Sequence, residues 1–72
     1  MEFKVKCVNI KSAIYVQTKT GAPRPERSIS CDQANLTVKD GFLEVVVKGH
    51  RTLIPMNNVA SLVPLVDAEL EE

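Results

Sequence analysis

Glycine, cysteine, histidine and aromatic side chains are all scarce in this chain, and it carries no formal net charge. Each scarcity removes a class of function. The three glycines, Gly21, Gly41 and Gly49, stand apart from one another at expected turns, so no glycine-rich loop is available to cradle phosphate. Cys7 and Cys31 are too few for a disulfide scaffold. Together with the single histidine, His50, they also fall short of the roughly four ligands of a zinc site. The same inventory gives no nucleophile both a base and an orienting group, so a non-enzymatic protein without cofactor or metal is expected. No apolar run approaches the roughly 20 residues of a membrane span. No apolar stretch behind a basic start marks a secretion signal. These absences predict reduced thiols, a cytoplasmic location and no membrane partner.

What charge there is lies unevenly. Up to Val66, nine Lys/Arg face five acids, while DAELEE at 67–72 carries the remaining four acids. A mildly basic body, 1–66, therefore precedes an acidic tail. The body lacks the dense basic stripe that announces nucleic acid. Seventy-two residues make one small domain, marginal unless well packed, closed into a barrel or oligomeric.

The most informative stretch is LTVKDGFLEVVVKGHRTLIPM, residues 36–56. Asp-Gly between apolar runs is a strong hairpin signal, because a type I′ turn needs φ > 0 at both central residues. A two-residue turn at Asp40-Gly41 pairs Val38 with Leu43 and Leu36 with Val45, and puts four apolar side chains on one face. A three-residue loop would pair Leu36 with Glu44 and mix the faces, which a half-buried sheet penalises. A second turn centred on Gly49-His50 would then set Val47 against Thr52, Val45 against Ile54 and Leu43 against Met56. A three-stranded meander results, with Phe42, Val46 and Leu53 on its back.

Elsewhere the alternation of EFKVKCV predicts a strand with Phe3, Val5 and Cys7 inward and Lys4 and Lys6 outward. On that face Cys7 is a small buried hydrophobe. Asn9 to Ser12 reads as a turn and AIYVQTK as a second strand. Residues 20–35, TGAPRPERSISCDQAN, read as an irregular segment broken by Gly21, Pro23 and Pro25. A short Ser28-Ile29-Ser30 strand or one helical turn from Ser30 or Asp32 is the alternative there. Cys31 falls in this segment without a basic neighbour to activate it. Val59–Val66, apolar on both faces, follows an Asn57-Asn58 turn. Pro64 places that last strand at an edge or ends it.

Two sets of surface residues are candidates for binding. Arg24 and Arg27 in the 20–35 segment suit bidentate recognition of carboxylate or phosphate. With the outer patch of Phe42, Val46 and Leu53 and the tip residues His50 and Arg51, they would form a protein-binding surface. The alternative is a single-stranded nucleic-acid interface from Lys4, Lys6, Tyr15, Lys19, Arg24 and Arg27, with Tyr15 as a stacking platform. Against both stand plainer roles. The lysines guard a sheet edge, Tyr15 covers an edge with its hydroxyl in water, and the arginines are solvated or paired with Glu26 and Asp32.

The segment KGHRTLIPMNNVASLVP, residues 48–64, resembles the ending of small bacteriophage-encoded accessory proteins, in which an Ile-Pro strand leads through an Asn-Val turn into a last strand. It is also similar to the second half of Sm-like and other SH3-like small barrels. The resemblance covers about a quarter of the chain and carries over no functional residue. It implies a small protein that binds and modulates a host component, in the host cytoplasm, or assists phage DNA metabolism.

The fold expected is all-β: five to six short antiparallel strands in a small SH3-like or OB-like barrel or a strongly bent meander sheet. The expected core is Phe3, Val5, Cys7, Ile14, Val16, Leu36, Val38, Leu43, Val45, Val47, Ile54, Met56, Val59 and Leu62. Homo-oligomerisation through Val59–Val66 is expected as well.

Overall fold

A computed structural model describes residues 2–65. The acidic segment at 67–72 and the last residue of the expected Val59–Val66 interface lie outside the described residues. Six antiparallel strands form a curled, half-closed barrel: β1 (Phe3–Val16), β2 (Arg24–Ser30), β3 (Asn35–Lys39), β4 (Phe42–Val47), β5 (His50–Pro55) and β6 (Val59–Pro64). A 3-10 turn, Met56–Asn58, joins β5 to β6. β1 is shared between two sheets. Its start pairs with β3 of the meander, and its middle pairs with β2 on one edge and β6 on the other. The core fills the space between them, with Val5, Val8, Ile10, Val16 and Ile29 from one sheet meeting Leu36, Val38, Leu43, Val45, Val47 and Ile54 from the other.

The first hairpin has the expected register, Val38 opposite Leu43 and Leu36 opposite Val45. Its turn differs in type. Gly41 has φ +86°, but Asp40 is not in the left-handed region, which is the sign pattern of a type II turn and not of type I′. The second hairpin is centred on Lys48-Gly49, with φ of 50° and 82°, and not on Gly49-His50. Val47 therefore faces His50, Val45 faces Thr52 and Leu43 faces Ile54. The displacement is two residues, so every side chain keeps its face. Charge explains the choice: the expected register would set Lys48 opposite Arg51, and like charges directly opposed are unfavourable. The observed one frees Arg51 to reach Glu44 at 3.3 Å.

The N-terminal half departs further. Asn9 to Ser12 is not a turn, and the two short strands expected there are one fourteen-residue strand. A register irregularity against β6 between Val5 and Cys7 reverses the inside–outside alternation. Val5 and Val8 are both buried, with Lys6 and Cys7 together on the outside. Val8 and Ile10 thereby enter the core and Cys7 leaves it, half-buried. Farther along, residues 10–13 of β1 lie opposite Arg27 alone. Side chains bond the backbone that this bulge frees. The Arg27 guanidinium donates to the Lys11 carbonyl at 3.1 Å. The Asn58 side-chain amide accepts from Ser12 N–H at 3.0 Å and donates to Ser12 C=O at 3.2 Å. A strand that would have turned back instead bends and continues.

The 20–35 segment is regular over its middle part. Arg24–Ser30 is an edge strand that accommodates Pro25 opposite Tyr15. A tight turn follows, with Ser30 C=O accepting from the N–H groups of Gln33 and Ala34.

Candidate functional site

The sheet registers sort the surface residues into distinct places. On the outer face of the meander, β3 presents Asn35, Thr37 and Lys39, β4 presents Val46, Glu44 and Phe42, and β5 presents Arg51, Leu53 and Pro55, in facing rows. Glu44 occupies the centre. Lys39 Nζ lies 3.4 Å from one of its oxygens and Arg51 Nη1 3.3 Å from the other. Phe42, Val46 and Leu53 do share this face, but the ion-paired Glu44 divides them. Leu53 is the most open of the three, 52 % exposed. His50 lies at the exposed start of β5, on the inward-facing parity with Val47.

The basic residues are dispersed. Lys4 continues the central meander row beside Thr37. Lys6 is outside at the β1 irregularity, its carbonyl bonded by Cys31 N–H at 2.8 Å. Tyr15, 70 % exposed, sits at the far end of β1 opposite Pro25. Tyr15 lies nine positions beyond Lys6, roughly 30 Å along an extended chain. Arg27, in the middle of β2, is bonded to the Lys11 carbonyl at the bulge, while Arg24 pairs with Val16 at the start of β2.

Arg24 and Lys19 instead flank a pocket of about 290 Å³ at one end of the barrel. Its floor is the end of the core, Val16, Ile29, Ala34 and Val47, all buried. Glu26 reaches its wall because Ile14 and Val16, the partners of Glu26 and Arg24, face inward. The rim is completed by Asp32 and Gln33 of the turn after β2 and by Thr18 and Thr20. The loop is internally tied: Thr18 Oγ1 accepts from Gly21 N–H and donates to Ala22 C=O, both at 3.1 Å. Lys19 Nζ donates to the Asp32 carbonyl at 2.6 Å, bridging loop and turn across the rim. A depression beside it shares Lys19, Gln33, Ala34 and Val47 and extends to Cys31 and Lys48.

Chemically this is an apolar cup with two cations and two carboxylates around its mouth. It suits an apolar group presented with polar or charged neighbours. Of its rim, only Arg24 and Lys19 were legible as binding residues, since reading 20–35 as irregular concealed Glu26, Asp32 and Gln33. The R-P-E-R-S-I-S pattern around the Ser28-Ile29-Ser30 alternative was the available signal. Among the described residues no group of three or more His, Cys, Asp or Glu could hold a metal ion. No helix among them is long and apolar enough to cross a membrane.

Comparison with known protein families, with curated proteins and with solved structures found no match to this chain.

Proposed function

We propose that the chain is a non-enzymatic protein-interaction module that receives an apolar side chain of a protein partner in the end pocket. The observation that carries this reading is the mixed sign of the rim. Lys19 and Arg24 stand against Glu26 and Asp32 around a buried apolar floor. A polyanion would meet two carboxylates at that mouth, whereas a polypeptide can match both signs and still bury an apolar anchor. The dispersal of Lys4, Lys6, Tyr15 and Arg27 supports the same choice, because it makes no continuous track for a phosphate backbone. The phage resemblance adds that the partner would be a host protein and the setting the host cytoplasm. The divided outer face of the meander serves as a secondary contact. Among the described residues β6 pairs with β1 alone, and this edge position, with Val63 48 % exposed, supports self-association as a compatible property. Light scattering at micromolar concentration would then give a mass above the monomer, and a monomer mass would contradict it.

Affinity capture from a bacterial lysate tests the main reading. The wild-type chain is expected to retain a stoichiometric protein after nuclease treatment, and Arg24→Glu to lose it at least about tenfold, the effect of one good charged contact. The nucleic-acid alternative predicts retention of single-stranded DNA or RNA at low salt that weakens steeply as salt rises. That result, with no protein retained, would overturn the proposal.

A further inference from the structure

The end pocket and the depression beside it differ in charge. They share Lys19, Gln33, Ala34 and Val47, so they adjoin along one wall at the end of the barrel. Both carboxylates, Glu26 and Asp32, line the first and not the second. Among the described residues the second, about 250 Å³, is lined by Lys19 and Lys48 with no acid, and its amides Gln33 and Asn35 are uncharged. Lys19 stands at the boundary and is already held there, because its Nζ donates to the Asp32 carbonyl at 2.6 Å. An ammonium has three donors, so two remain for a ligand. Part of the rotamer entropy that a lysine loses on binding has already been lost. Lys48 is exposed and placed by the Lys48-Gly49 turn, where its backbone is held at φ 50°.

We propose that the partner binds as an extended segment with an acidic residue two positions from its apolar anchor, the anchor in the end pocket and the carboxylate against Lys19 and Lys48. This rests on the function proposed above and adds the sequence chemistry of the partner. The spacing follows from strand geometry. In an extended chain the side chains of neighbouring residues point to opposite sides, and those two apart share a side at roughly 6.6 Å. Two depressions with a common wall therefore take residues two apart, while the residue between them points to solvent. The sign follows from the lining, since a basic residue would meet two ammonium groups and an acidic one would pair with both. A nucleic-acid strand carries a phosphate at every residue, and it would have to pass Glu26 and Asp32 to reach the same lysines.

The test titrates the isotope-labelled full chain with capped pentapeptides and follows backbone amide shifts. The first probe is acetyl-Ala-Leu-Ser-Glu-Ala-amide, and two others carry Gln or Lys in place of Glu. The Glu probe should shift Ile29 and Ala34 of the end pocket together with Asn35 and Lys48 of the second depression. The Gln probe should bind about threefold to fivefold more weakly at low salt, the effect of an exposed ion pair, and the Lys probe more weakly still. Lys48→Asn, at an exposed turn position, should diminish the preference for Glu over Gln. Equal binding of the three probes, with shifts in the end pocket, would overturn the acidic partner and leave the pocket reading standing. No shift in the end pocket with any probe would overturn both. Sodium phosphate that shifts Lys19 and Lys48 as strongly as the Glu probe at equal concentration would assign these cations to phosphate and overturn the proposal. The same shifts on concentrating the chain alone would make a second copy the occupant, and would overturn it too.

Discussion

Leu43 and Lys48 show how differently single residues are constrained here. Leu43 is fully buried at the centre of the meander. Leu43→Ala should cost about 2–5 kcal/mol, measured by urea unfolding. A loss below about 1 kcal/mol would mean that the two sheets do not pack as described. Lys48 is strained instead, holding φ 50° at the first central position of a type I′ turn that prefers asparagine. Lys48→Asn should stabilise the chain by about 0.5–1 kcal/mol, and Gly49→Ala, at φ 82°, should destabilise it by about 1 kcal/mol or more. Denaturant midpoints moving in the same direction for both variants would contradict the turn assignment. At this scale the alternation of apolar residues was enough to read the meander core, because each strand there is regular. The turn position escaped because a two-residue displacement leaves every face unchanged, and only the Lys48–Arg51 opposition distinguishes the alternatives.

Among the elements, β1 was the least legible. Its apolar residues keep a period of two on each side of Lys6 but change phase there, and a phase change in a sequence looks the same as an end. The Asn9 to Ser12 stretch reads as a turn for the related reason that its backbone partners come from far along the chain, in Arg27 and Asn58. Removing Lys6 tests the phase change directly. Its deletion removes the extra residue and leaves Cys7 alone outside between inward Val5 and Val8, so Val8 and Ile10 should stay in the core and cooperative unfolding followed by circular dichroism should persist. A deletion variant that loses cooperative unfolding, as a regular strand with flipped faces would, contradicts the irregularity. Asn58→Ala removes the two bonds to Ser12 and should cost about 1–2 kcal/mol. A thermal shift of less than about 2 °C would show that the 3-10 turn does not hold β1 at its bend.

For the whole molecule, the sharing of β1 between two sheets creates the functional geometry. The barrel closes well around Leu36, Leu43 and Ile54, and it opens at the end where β2 and the 17–23 loop extend past the core. There Val16, Ile29, Ala34 and Val47 form a buried floor beneath Lys19, Arg24, Glu26 and Asp32. The meander reads from the sequence as scaffold and the 20–35 segment as the better place for function. The pocket itself was not legible, because its floor comes from four separate elements. Its acidic half belongs to a strand and a turn that prolines had made to look irregular.

Site-directed photo-crosslinking in a nuclease-treated bacterial lysate tests that geometry most directly. A photoreactive residue replaces Thr20 on the exposed pocket rim, or Ser61 on the distant outer face of β6, and leaves Lys19 and Arg24 intact. Recognition through the pocket predicts a discrete protein adduct from position 20, lost when Arg24→Glu is added, and none from position 61. Equal adducts from both positions, or none from position 20, would contradict it.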